Sequence, residues 1–156
     1  NNRLTWVFED EIDTWQGITL DENGMVSNLN IRQKRLDILP SEIGVLSKLV
    51  SMNLGNNHIK TLPREIGKLV NLKTLDLEFN GVEELPVAIG QLIALENLDL
   101  NRNNLSKLPK EIGQLTNLKE LNLYADDIGI SSLPEEIGQL QNLEKLNLSG
   151  NIDCFL

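Results

Sequence analysis

The chain has 156 residues, of which 14 are Lys or Arg and 23 are Asp or Glu, giving a net charge of −9. That length suits one domain, and the acidity argues against nucleic acid and anionic membrane surfaces, both of which select a basic face. No apolar run approaches the ~18 residues of a membrane span, no signal peptide is visible, and one cysteine, Cys154, allows neither an internal disulfide nor a zinc cluster.

Residues 1–25 stand apart from the rest of the chain. Asn1 is an unusual first residue for a nascent chain and implies an upstream segment that has been removed. Leu4, Phe8, Ile12 and Trp15 have helical spacing, although Thr5-Trp6-Val7-Phe8 also reads as a strand. Ile18-Thr19-Leu20 and Met25-Val26 flank Asp21-Glu22-Asn23-Gly24, and Asn-Gly between apolar runs predicts a hairpin. Trp6 and Trp15 are expected to close the first coil as a lid rather than to form a recognition platform.

From Val26 the chain repeats itself. Strand-opening apolar residues fall at Val26, Leu49, Leu72, Leu95, Leu118 and Leu143, with steps of 23, 23, 23, 23 and 25 residues. Leu75 and Leu77 alternate with polar residues, which predicts a short strand with one buried face. The same pattern recurs at Leu29/Ile31, Met52/Leu54, Leu98/Leu100, Leu121/Leu123 and Leu146/Leu148. Strands one repeat apart are expected to stack in parallel, about 4.8 Å from neighbour to neighbour, with the intervening chain as the crossover.

The second half of each repeat reads Leu-Pro-x-Glu-Ile-Gly-x-Leu. Pro40, Pro63, Pro86, Pro109 and Pro134 suit the first position of a short helical or 3-10 turn. Glu42, Glu65, Glu111 and Glu136 then fall in its first turn, and Ala88 replaces that Glu in one repeat. Gly44, Gly67, Gly90, Gly113 and Gly138 are expected to supply a tight turn or a close contact between coils. The apolar side chains of one coil cannot offset the ordering of its backbone, so stacking must hold the array together.

The consensus LPxEIGxLxxLxxLxLxxN resembles the leucine-rich repeat family, and its LPxEIGxL half is similar to the 23-residue repeats of bacterial surface and effector proteins and of some intracellular scaffolds. The stretch Trp15-x-Gly17-Ile18-Thr19 … Asp21-x-Asn23-Gly24-x-Val26 looks like the N-terminal cap of plant and bacterial leucine-rich repeat ectodomains, without the paired cysteines of the plant form. The resemblance implies an α/β, right-handed solenoid with a curved parallel sheet on the concave face and short turns on the convex face. The division is a cap over 1–25 and about five and a half repeats over 26–156. It further implies that Asn57, Asn80, Asn103 and Asn151 are buried and bond the backbone of adjacent coils. Lys34 and Asp126 depart from that position, the second beside the two-residue insertion, where local distortion is expected. Ile152, Phe155 and Leu156 either close the last coil or precede further chain.

No catalytic constellation is present. His58 is the sole histidine and reads as a solvated turn residue. Neither a phosphate-cradling glycine loop nor a metal motif occurs, so neither cofactor nor metal is expected, and the chain is not expected to be an enzyme. Function then falls to the outward columns of the sheet: Asn28, Ser51, Thr74, Asn97, Glu120, Lys145; then Asn30, Asn53, Asp76, Asp99, Asn122, Asn147; then Arg32, Gly55, Glu78, Asn101, Tyr124, Ser149. Phe79, Arg102 and Tyr124 lie on successive coils near one edge, with Glu78 and Asn101 between them. Aromatics and Arg dominate binding hot spots, so these five, with Asp76 and Asp99, form the candidate partner site. The Asp76/Asp99 pair, about 5 Å apart, invites neutralisation by calcium or by Lys73, Arg102 or Lys119. Ile128 and Ile130, in the insertion, read as exposed loop contacts. The expected function is non-enzymatic binding of a protein partner by a monomer, in a bacterial secreted or cell-surface setting with a cytoplasmic one left open. The alternative is the recognition arm of a larger enzyme or signalling receptor, such as a kinase ectodomain or ligase effector.

Overall fold

The structure is a computed structural model that describes residues 17–125 and 129–151. Trp6, Trp15, Asp126, Ile128, Ile152, Cys154, Phe155 and Leu156 lie outside the described residues, so the readings made on them stay expectations.

Among the described residues seven short strands form one open sheet in sequence order: β1 (Ile18–Leu20), β2 (Val26–Asn30), β3 (Ser51–Asn53), β4 (Thr74–Asp76), β5 (Asn97–Asp99), β6 (Glu120–Asn122) and β7 (Lys145–Asn147). β1 pairs antiparallel with β2, as the Asn-Gly turn requires. Asp21 shapes that turn: its Oδ1 accepts the backbone N–H groups of Asn23 and Met25, each at 2.9 Å, and Gly24 takes φ +74°. Every later pair is parallel and shifted by one repeat, so Leu75 faces Met52 and Leu98. The 25-residue step between β6 and β7 keeps the same register, Leu121 opposite Leu146. The insertion is therefore absorbed outside the sheet.

Side chains pointing away from the open face make one continuous core. Leu49, Met52, Leu54, Ile59, Ile66, Leu69, Leu72, Leu75 and Leu77 are fully buried, and the same positions recur in the following coils. Burial of this kind contributes about 1.5–3 kcal/mol per large side chain. The last coil departs. Leu146 is exposed, and Leu133, Ile137, Leu143 and Leu148 are only partly buried, because among the described residues no coil lies beyond them. Ile130, expected as an exposed loop contact, is 2% exposed and belongs to the core. It takes the inward place that Ile59, Val82 and Leu105 hold in their own coils.

The convex side is a row of five-residue 3-10 turns, Ser41–Val45, Arg64–Lys68, Val87–Gln91, Lys110–Gln114 and Glu135–Gln139. Each Pro sits one residue earlier than its helical preference suggests. Pro63 has φ −68° and ψ 148° and is extended, and its carbonyl accepts the Ile66 N–H at 3.0 Å. A short turn has no α-helical first position to offer, so the ring serves as the extended entry.

The glycine of each turn marks where the next coil leans in. A Cβ on Gly90 would lie 2.7 Å from the Glu111 carbonyl oxygen and 2.9 Å from the Glu111 Cβ. Gly138, on the last described coil, would meet nothing within 4 Å. The requirement is for space between coils rather than for an unusual backbone angle. Gly90→Ala is therefore expected to cost about 1–3 kcal/mol, whereas Gly138→Ala changes stability by less than about 0.5 kcal/mol. Urea unfolding of the two variants checks the pair.

Candidate functional site

The outward columns hold the side chains that can touch another molecule. Asp76 and Asp99 face each other in register, as expected, but each is already employed. Asp76 Oδ1 accepts the Glu78 N–H at 2.9 Å. Asp99 Oδ1 accepts the N–H of Asn101 at 2.9 Å and also its Nδ2–H at 2.9 Å, while Asp99 Oδ2 accepts from Asn122 Nδ2 at 3.1 Å. The same Asx turn closes the other strands: Asn30 on Arg32, Asn53 on Gly55, Asn122 on Tyr124 and Asn147 on Ser149. This column caps strand ends.

The neutralising charge comes from a residue that sequence reasoning passed over. Arg32, two coils before Glu78, pairs with the Glu78 carboxylate and reaches to 3.8 Å from Asp76 Oδ2. Its path crosses Gly55, where a Cβ would collide with the guanidinium. A glycine standing beside a long Arg in a column of larger side chains was the available signal. Lys73 and Lys119 do not serve the pair. They bond Glu96 instead, at 3.1 and 2.6 Å, and together hold its carboxyl below the usual range. Among the described residues no group of three or more acidic, His or Cys side chains could hold a metal ion.

Asp76 is nonetheless strained as a charge. Burial first, then Glu78 and Asp99, push its carboxyl above the ordinary value, against the Glu78 N–H and Arg32.

The Phe79, Arg102 and Tyr124 side chains do meet. The Arg102 guanidinium carbon lies 4.5 Å from the Phe79 ring centre and 5.6 Å from that of Tyr124, so the cation sits between two rings. Phe79 remains 39% exposed, Arg102 is exposed and Tyr124 is half-buried. Both Phe79 (φ 50°) and Arg102 (φ 53°) hold the left-handed conformation, as do Gln33 and Asn56 at the same strand-exit position. Asn tolerates that region; an aromatic side chain occupies it at a cost of about 1–2 kcal/mol. Asn101, between them, donates to Glu78 Oε2 at 3.2 Å. All seven candidate residues thus lie on coils three to five, but only three of them form the exposed stack.

Beside the stack is a hollow of about 440 Å³, lined by Asn56, Asn57, His58, Phe79, Asn80 and Arg102. His58 is largely solvated, with Nδ1 3.6 Å from Asp37 Oδ1. Asn56 has a buried Nδ2 with no hydrogen-bond partner among the described residues.

The Asp76 geometry makes a pH prediction. An acid whose folded-state pKa is raised destabilises the fold while ionised, and that penalty disappears as pH falls through the folded pKa. Asp76→Asn keeps the cap, as Asn53 and Asn122 show, and removes the charge. It is expected to raise stability at pH 7 by less than about 1 kcal/mol, with the gain vanishing in acid below the unfolded carboxylate value of about 3.9. Thermal melts of both chains across pH check this.

Comparison with solved structures places this geometry among known proteins. The ectodomain of the receptor kinase SOBIR1 from Arabidopsis thaliana is 27% identical over 93% of this chain and 86% of that one, with a TM-score of 0.73. The plant peptide hormone receptor RGFR1, solved in complex with RGF2, is 32% identical over 88% of this chain and 26% of the receptor, with a TM-score of 0.72. A Leptospira interrogans LRR protein is 35% identical over 80% of this chain and 43% of its own, with a TM-score of 0.49. A comparison with curated proteins found no match. No described helix is long and apolar enough to cross a membrane. The profile of leucine-rich repeat regions matches residues 26–151, and with the stacked parallel strands and buried leucines this chain belongs to the leucine-rich repeat family.

Proposed function

We propose that the chain is a non-enzymatic protein-binding module whose contact centre is the Phe79–Arg102–Tyr124 stack, flanked by Glu78, Asn101, Asp76 and Asp99. One observation carries the reading: two aromatic rings and a cation are held together at the sheet edge, with Phe79 and Arg102 on strained backbone and exposed to water. Packing does not require this arrangement, since Gln33 and Asn56 occupy the same exit position. Residues 1–25 act as the N-terminal cap and residues 26–156 as the binding array. The module works as a monomer in a secreted or cell-surface setting, and its LPxEIGxL repeats favour a bacterial source. A second reading shares the same site. The likeness to the SOBIR1 ectodomain over most of both chains supports a recognition arm of a larger receptor.

Phe79→Asn/Tyr124→Ser tests the centre. Lost ring–cation contact and relieved backbone strain oppose each other, so stability is expected to change by less than about 1 kcal/mol. Partners captured by the parent chain from surface and extracellular proteins are expected to bind the variant at least about 30-fold more weakly, as read by affinity capture followed by titration of the recovered protein. Unchanged affinity would end the proposal.

A further inference from the structure

We infer that Asn80-Gly81 is a latent self-modification site, which deamidates only when coil three lifts off coil two and whose product cannot restore the contact. Two Asn-Gly pairs occur in the chain, Asn23-Gly24 and Asn80-Gly81. Glycine has no Cβ to shield its backbone nitrogen, so that nitrogen can attack the side chain before it. Once it has given its proton to hydroxide, the Gly81 nitrogen bonds to Asn80 Cγ. The Cγ–Nδ2 bond breaks, and Nδ2 leaves as ammonia with a proton from water, which regenerates the hydroxide. Water then opens the five-membered imide at either carbonyl and leaves an aspartyl or an isoaspartyl residue.

The fold holds both reacting groups away from this step. Asn80 Oδ1 accepts the Ile59 N–H at 3.0 Å, and the Gly81 N–H donates to the Ile59 carbonyl at 3.0 Å. Nucleophile and target are thus clamped to one residue of the preceding coil, and Ile59 is fully buried. Asn80 Nδ2 also donates to the carbonyls of Leu54 and Leu77, at 3.0 and 3.1 Å. Turning Cγ toward the Gly81 nitrogen breaks these bonds together, so the reaction waits on local opening. Asn57 and Asn103 carry the same clamp, on Leu36 and Val82, but His58 and Asn104 follow them and shield the nitrogen. Packing does not demand the glycine in coil three. Gly81 has no positive φ, and a Cβ there would find its nearest neighbours at 3.7 and 3.8 Å.

Asn23-Gly24 is the internal contrast. Asn23 is exposed, and its carboxamide makes no hydrogen bond among the described residues. The turn holds the Gly24 N–H alone, on the Asp21 carbonyl at 3.0 Å. At position 80 the product matters more. A carboxylate has no N–H to give and would set its charge against the Leu54 and Leu77 carbonyl oxygens. Opening followed by reaction is therefore one-way, and it strikes the residue that turns inward directly after Phe79.

The test incubates the full chain in mildly alkaline buffer, folded or in urea, and follows both sites by acid-protease peptide mapping and mass spectrometry. In the folded chain Asn23 is expected to react at least about 30-fold faster than Asn80. In unfolding urea the two rates should agree within about three-fold. Gly81→Ala should slow the reaction at Asn80 in urea by about ten-fold, without lowering the urea midpoint of the folded chain. Asn80→Asp, the product itself, is expected to lower that midpoint or abolish folding, whereas Asn23→Asp leaves it unchanged. Equal rates in the folded chain, no acceleration of Asn80 in urea, insensitivity to Gly81→Ala, or an Asn80→Asp chain as stable as the parent would each overturn the inference.

Discussion

The fold depends on the inward amides of Asn57, Asn80, Asn103 and Asn151, of which Asn57 and Asn103 are buried and Asn80 and Asn151 half-buried. Where each strand ends, the chain must bend inward, and the bend strips several N–H and C=O groups of water. Asn57 receives the N–H groups of Lys34 and Leu36 on its Oδ1 and gives its Nδ2 to the carbonyls of Ile31 and Leu54. Asn80 and Asn103 repeat the pattern one and two coils on, and Asn103 joins Val82 N–H to the carbonyls of Leu77 and Leu100 at 2.9–3.0 Å. An unpaired buried backbone group costs about 1–3 kcal/mol. Leucine packing alone would not place two coils in register; an amide that bonds its own coil and the previous one does.

That inward Asn has an outward consequence. To turn it into the core, the preceding residue enters the left-handed region, as Asn56, Phe79 and Arg102 do. The ladder therefore dictates where those side chains project, and it does not fix their identity. Asn56 suits the backbone. Phe79 and Arg102 oppose it and are stabilised in part by each other, through the ring–cation contact at 4.5 Å. Nearby, Arg32 bridges across Gly55 to Glu78, so the acidic column beside the stack carries its own counter-charge. The edge of coils three to five thus combines a rigid scaffold with side chains that the scaffold does not need.

Much of this was legible beforehand. A 23-residue period gave the parallel order and the register of Leu75 and Leu98, because burial repeats whatever the sequence repeats; the inward Asn positions were implied by the resemblance to leucine-rich repeats, and the burial expected of all four is found at Asn57 and Asn103 but only in part at Asn80 and Asn151. The Asn-Gly turn gave the β1–β2 hairpin. The misses share a cause, which is that they depend on contacts between different coils. Ile130 read as exposed because the insertion hid its equivalence to Leu105. Asp76 and Asp99 read as a free acidic pair because an Asx turn cannot be told from a ligand-binding carboxylate by spacing. Arg32 went unselected because its reach over two coils exists only once Gly55 opens the way. Ala88, marked as a departure, sits buried against Gly67, where the next coil leans in. The Phe79–Arg102–Tyr124 cluster was visible as residue types on successive coils, but its stacking and the strained backbone of Phe79 and Arg102 were not.

The amide ladder is the claim to test most directly, and Asn103→Ala beside Asn104→Ala does so. Asn103 is 8% exposed and bonds four backbone groups of two coils, while its neighbour Asn104 is exposed. In equilibrium urea unfolding, Asn103→Ala is expected to lose more than about 3 kcal/mol and Asn104→Ala less than about 0.5 kcal/mol. Two variants of equal stability would contradict the account.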